Sequence, residues 1–243
     1  MGTYVSAAAR DSDRLAADRA WVRWGMAAAV TGMLAWVIGV ALIPPDARLE
    51  KGEQHLVQVA RAHTGQLYAA GLLAVLGAVL LAAFFAVLTR LVPEGSPGWG
   101  LLRVSLAGCV ITNTMVAIGA SFGLAGLHAA AGNASAGLVA LGVRGLWLTW
   151  LASAVPTILF TVTGVLGLRQ AGLSPPWVSA LGWLSAAAHV LVLFTLAQRG
   201  PFAADGIIAG LVPLTTVLWI LALAATLPRS RRAAVPATVQ TGG

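Results

Sequence analysis

Long apolar runs alternate with short polar breaks along nearly the whole chain. Six runs stand out, at about residues 22–43, 66–91, 101–131, 144–168, 177–198 and 206–227. A helix needs about 20 apolar residues to cross a hydrocarbon core of roughly 30 Å. Each run is therefore predicted to be one transmembrane helix, and the fold class is all-α: a polytopic bundle of six transmembrane helices occupying residues 21–228. The breaks carry helix-stopping chemistry, with Pro44-Pro45 after the first run, Pro93 to Gly98 after the second and Pro175-Pro176 before the fifth. Pro156 lies inside the fourth run and Pro213 inside the sixth, where each removes a backbone donor and loosens the helix.

The polar segments are short. Residues 1–20 are mixed in charge and are expected on the cytoplasmic side, with a short surface helix from Ser12 onward. Acidic residues in that leader and the lack of a small-x-small site after the first apolar run argue against a cleaved signal peptide. Residues 46–64 form the one substantial polar loop, and Leu56, Val59 and Ala60 recur there at helical spacing, so part of it is expected as an amphipathic surface helix. The segment RGPFAAD joins the last two spans, and residues 229–243 read as a disordered cytoplasmic tail.

Composition agrees with the pattern. Of 243 residues, 58% are hydrophobic and 9% charged, against about 25% charged in soluble domains. The net charge of +7 does not indicate nucleic acid, because the cations sit at segment ends rather than on one patch. The richness in arginine, alanine and glycine points to a bacterial genome. With both termini cytoplasmic, Arg10, Arg14, Arg19, Arg23, Arg90, Arg103, Arg169, Arg229, Arg231 and Arg232 lie inside, and Arg48, Lys51, Arg61, Arg144 and Arg199 outside. That asymmetry sets the orientation in a bacterial cytoplasmic membrane. Trp21, Trp24, Trp99 and Trp177 then fall at the inner interface, and Trp147 and Trp150 at the outer one.

Counting 1.5 Å per residue from each interface brings one polar side chain from five of the six spans to about 13–18 Å depth, near the bilayer midplane. These are Thr31, Asn113, Thr157, His189 and Thr216. Such a layer has two readings. Small polar groups hold helices together, whereas an ionisable residue at that depth marks a site by default. His189 shares a face with Val178, Gly182 and Ser185 and is expected to point into the bundle. No carboxylate accompanies it, which argues against coupled proton transfer.

A second group, His63 and His128 with His55, Glu53 and Asp46 nearby, lies at the outer ends of the spans as a weak metal candidate whose spacing matches no metal motif. Haem ligation by two of the histidines fits less well. No cofactor is expected. Gly25, Gly32 and Gly39 recur on one helix face, and Gly119-x-x-x-Gly123 and Gly206-x-x-x-Gly210 are close-packing motifs, suited to intrachain seams first and to a homo-oligomer second. Cys109 reads as a small core residue, and Asn133-Ala-Ser135 as an uninformative glycosylation triplet.

RWGMAAAVTGMLAWVIGVALIP, ARAHTGQLYAAGLLAVLGAVLLAAFFAVL, LSPPWVSALGWLSAAAHVLVLF, GPFAADG and LWILALAATLPR together resemble a set of bacterial, chiefly actinobacterial, six-helix integral membrane proteins of unknown function. The resemblance implies a fold and a location, and no catalytic residues. Function is expected to be non-enzymatic, structural or partner-binding, with the lipid bilayer as solvent and any protein partner unknown. A small-solute transporter using the midplane layer is the first alternative, and a metal or redox protein using His63 and His128 the second.

Overall fold

The computed structural model describes residues 2–47, 52–132, 134–194, 203 and 207–233. Among them are eight α-helices: α1 Gly2–Ala41, α2 Glu53–Ala62, α3 Thr64–Arg90, α4 Pro97–Ala131, α5 Ala136–Ala152, α6 Ala154–Gln170, α7 Pro176–Val192 and α8 Ile207–Ala233. Five helical stretches are long and apolar enough to cross a membrane: Arg19–Ala41, Thr64–Arg90, Pro97–Ala131, Ala136–Gln170 (which joins α5 and α6) and Gly210–Pro228. α7 is apolar but shorter, at 17 residues.

Close approaches fix the packing, and each neighbouring pair runs antiparallel. On α1, Gly25 meets Val87, Gly32 meets Gly77 and Leu80, and Gly39 meets Ala70, so the predicted glycine face is the seam to α3. A Cβ at Gly32 would lie 3.0 Å from Leu80 Cβ, which is why only glycine lets the two backbones approach so closely. α4 packs on α3 through Gly71 and Leu124, on α5 through Gly126 and Gly142, and on α6 through Gly98 and Gly167. α7 meets α6 and α8 at Gly182, beside Val165 and Trp219, and α8 returns to α1. The result is a closed ring, α1–α3–α4–α6–α7–α8, with α5 leaning on α4. The first apolar turns of α1 and the last of α8 lie at one end of the ring, where Val22, Val87, Leu91, Leu173 and Leu227 share a core cluster. The other end is covered by α2.

Large apolar side chains, Leu72, Leu76, Val79, Ile111, Ile118 and Leu218 among them, face outward from the ring. An outward belt of this kind suits a lipid solvent rather than water. The interior near the termini is filled by Phe84, Phe85, Phe160 and Trp219, with Phe85 and Phe160 edge to face at 5.5 Å.

Several boundaries differ from the sequence reading. The expected short surface helix from Ser12 is part of the continuous α1. The fourth apolar run begins at Ala136 rather than at 144, because the small residues of AGLVALGV before Arg144 continue the helix. It is also two helices, broken at Ser153. Pro156 has no N–H to give to the carbonyl of Ala152, so the helical ladder lapses there and restarts as α6. α8 runs to Ala233, so the first part of the expected tail is helical. α7 ends at Val192. Residues 234–243, Arg48, Lys51, Asn133 and the 199–205 segment apart from Ala203 lie outside the described residues. The amphipathic helix expected in the 46–64 loop is α2, whose buried Leu56, Val57, Val59 and Ala60 pack on the bundle.

Candidate functional site

The break at Ser153 shapes a cavity at mid-depth. Ser153 lies on its wall with Thr157, and Pro213, inside the continuous α8, lines it as well. Between them lies a space of about 80 Å³ lined by Asn113 and Thr112 of α4, Ser153 and Thr157 at the α5–α6 break, His189 of α7 and Thr216 of α8. Four of the five polar residues expected at the midplane, Asn113, Thr157, His189 and Thr216, are thus brought to one space. The fifth is not. Thr31 is exposed on the outer face of α1, because α1 turns its Gly25–Gly32–Gly39 face inward and residue 31 is rotated about 100° from residue 32. Thr112, Ser153 and Trp36, which the midplane count did not include, also line it, as does Trp150, expected at the outer interface.

The hydrogen bonds can be oriented by counting protons. Ser153 Oγ donates to Trp150 O at 2.6 Å, and Thr157 Oγ1 donates to Ser153 O at 2.7 Å. A hydroxyl has one proton, so in the 3.3 Å pair between Thr112 and Thr157 it is Thr112 that donates. His189 Nδ1 lies 2.9 Å from Ser185 O, a group that only accepts, so Nδ1 carries the proton and Nε2 of the neutral ring is an acceptor. Among the described residues Nε2 has no partner. Ser185 Oγ and Thr216 Oγ1 are 2.6 Å apart, and the pair holds one proton more than its mutual bond uses. Asn113 gives one N–H to Cys109 Sγ at 3.3 Å and keeps a second N–H and its carbonyl oxygen. The wall therefore offers donors and acceptors together, with no acid, lysine or arginine among the described lining residues. It suits an uncharged group that both donates and accepts. A water needs about 10–15 Å³ by this measure, so the space holds a handful of waters or one small group.

A second cavity, about 140 Å³, adjoins it toward the α2 end. Its lining is apolar throughout, including Leu56 and Val59 of α2, Leu67 of α3, Leu127 of α4 and Val139 of α5. Val116 and Trp150 line both cavities. Trp150 stacks on Trp36 at 5.6 Å, closing the space between α1 and α5. This placement of Trp150 corrects the expectation of an interfacial residue: α5 starts earlier than predicted, which carries residue 150 about 21 Å into the bundle.

The outer histidines are engaged separately. His63 Nδ1 donates to Gln66 Oε1 at 3.2 Å, an orientation fixed by Gln66 Nε2 donating to Leu42 O at 2.7 Å. His55 contacts Asp46 O at 3.1 Å, and His128 is exposed in the last turn of α4. No group of three or more His, Cys, Asp or Glu side chains among the described residues is placed to hold a metal. Gly119 packs on Leu146 and Thr149, so that motif serves an intrachain seam. Gly210 has nothing within 4 Å of an added Cβ, and Gly206 lies outside the described residues.

No protein-family model matches the chain, and neither a curated protein nor a solved structure matches it.

Proposed function

We propose that the chain is a six-crossing integral membrane protein that binds an uncharged amphiphile, its polar head in the mid-depth cavity and its apolar body in the cavity beneath α2. The observation that carries this is the junction of the two spaces: a wall of uncharged donors and acceptors around His189 and Asn113, adjoining an apolar chamber across Trp150 and Val116. A hydroxyl or primary amide matches the head site, because each both donates and accepts. Burying polar groups at this depth without partners is costly, so a ligand that completes their hydrogen bonds gains from that cost.

The sixth crossing is α7. Its 17 residues span about 26 Å, near the thickness of a hydrocarbon core, and its antiparallel registers, Gly182 at Trp219 and Ser185 at Thr216, run it along the bundle. Arg19, Arg23, Arg90, Arg103 and Arg169 gather at the end holding the termini, which supports termini in the cytoplasm of a bacterial cell. This reading is preferred to the structural or partner-binding role expected from the sequence, and passage of the ligand across the bilayer is its extension.

The test is a thermal-shift series on detergent-purified protein with octanamide, octane and acetamide. Octanamide is expected to raise Tm more than either fragment, and His189→Ala and Asn113→Ala are expected to remove the gain over octane. Equal shifts from octanamide and octane, or an undiminished gain in both variants, would rule the reading out.

A further inference from the structure

A third space lies outside the bundle, on the lipid-facing side of α3 at the end where the chain termini sit. It is an open groove of about 1010 Å³ between α1 and α4. Its floor is the small-residue face of α3, Ala83 and Ala86, and its walls carry Trp21 and Trp24 from α1 and Trp99 from α4. Two cations close its polar end. Arg90, the last residue of α3, holds its guanidinium 4.6 Å from the centre of the Trp21 ring, and Arg103 holds its own 4.7 Å from Trp99. Both arginines are exposed, and among the described residues neither makes a salt bridge. Glu94 also lines the rim.

We infer that this groove is a binding site for one anionic glycerophospholipid, with an acyl chain along the alanine floor and the phosphate between Arg90 and Arg103. Three observations converge on that occupant. The groove opens to the bilayer, where lipid is the molecule at hand. Its walls are tryptophans, the side chains that favour the boundary between chains and headgroups. Its polar end offers two guanidiniums, whose planar forks match phosphate oxygens and which stacking on Trp21 and Trp99 holds in place. Stacking leaves the N–H edges of each guanidinium open to a ligand. Glu94 opposes a second negative charge on the same headgroup, so a singly charged lipid such as phosphatidylglycerol fits best. A basic site between helices at a membrane face is a recognised setting for acidic headgroups.

The experiment is native mass spectrometry of the full chain in detergent with equimolar phosphatidylglycerol and phosphatidylcholine of matched acyl chains. Wild type is expected to retain phosphatidylglycerol over phosphatidylcholine by roughly fivefold or more. Arg90→Gln/Arg103→Gln is expected to bring the ratio near one while keeping the total lipid retained, and Arg90→Lys/Arg103→Lys to keep a preference. A wild-type ratio near one, or an undiminished ratio in the glutamine variant, overturns the site. Millimolar inorganic phosphate added to wild type separates headgroup from free anion without any variant. The phosphatidylglycerol ratio is expected to survive it, and its collapse would assign the arginines to a soluble anion instead.

Discussion

Trp219 is fully buried among Phe85, Phe160 and Gly182, and its Nε1, shut off from any space, has no hydrogen-bond partner among the described residues. An unpaired buried donor costs about 1–3 kcal/mol. Trp219→Phe is therefore expected to unfold within about 1 kcal/mol of wild type, since the smaller ring discards that cost while losing some packing. Trp219→Ala is expected to lose about 3–5 kcal/mol; reversible unfolding in mixed micelles reads both. Ser105 is the contrary case. Its hydroxyl donates to Phe160 O across the α4–α6 seam at 2.7 Å, and Ser105→Ala is expected to cost about 0.6–2 kcal/mol by the same measurement. Depth counting found the polar layer in the sequence because 1.5 Å per residue holds in any helix. It could not tell Thr31, on a lipid-facing side, from Thr157, at a helix break. Rotation about the helix axis depends on which face a neighbour takes, and that is set by partners distant in the chain. For α1 a signal did exist: the Gly25–Gly32–Gly39 face names the inward side and turns Thr31 away.

Between α4 and α5 the two backbones all but touch, since a Cβ on Gly142 would lie 2.7 Å from Gly126 Cα. Gly142→Ala is expected to lower stability by about 1–3 kcal/mol. Gly210→Ala, with nothing within 4 Å, is expected to be neutral or slightly stabilising, as an alanine within a helix is. Parallel thermal melts of the two variants check the contrast. The break at Ser153 is the element that makes room for the site. Pro156 was legible as a loosened point, but the cavity beside the break was not, because its other walls come from α4, α7 and α8. Pro156→Ala restores the missing donor to Ala152 O and is expected to join α5 and α6 into one unbroken helix. Loss of the octanamide thermal shift with an unchanged or higher Tm is the outcome that matches.

The ring as a whole has a packed aromatic interior near the termini, a polar cavity at mid-depth and an apolar chamber under α2. Hydropathy revealed the apolar helices, five of them long enough to span among the described residues, since burial in lipid writes itself into composition. The chamber left no such trace, because residues that line an apolar void are the same types that fill a core. Ligand binding requires the mid-depth cavity to be open to small polar molecules. Cysteine labelling in a Cys109→Ser background tests this most directly, with Thr216→Cys in the cavity wall and Thr161→Cys as a buried comparison outside it. A small polar methanethiosulfonate reagent is expected to modify position 216 and leave 161 untouched, with octanamide protecting 216. Equal inertness at both positions would contradict the account.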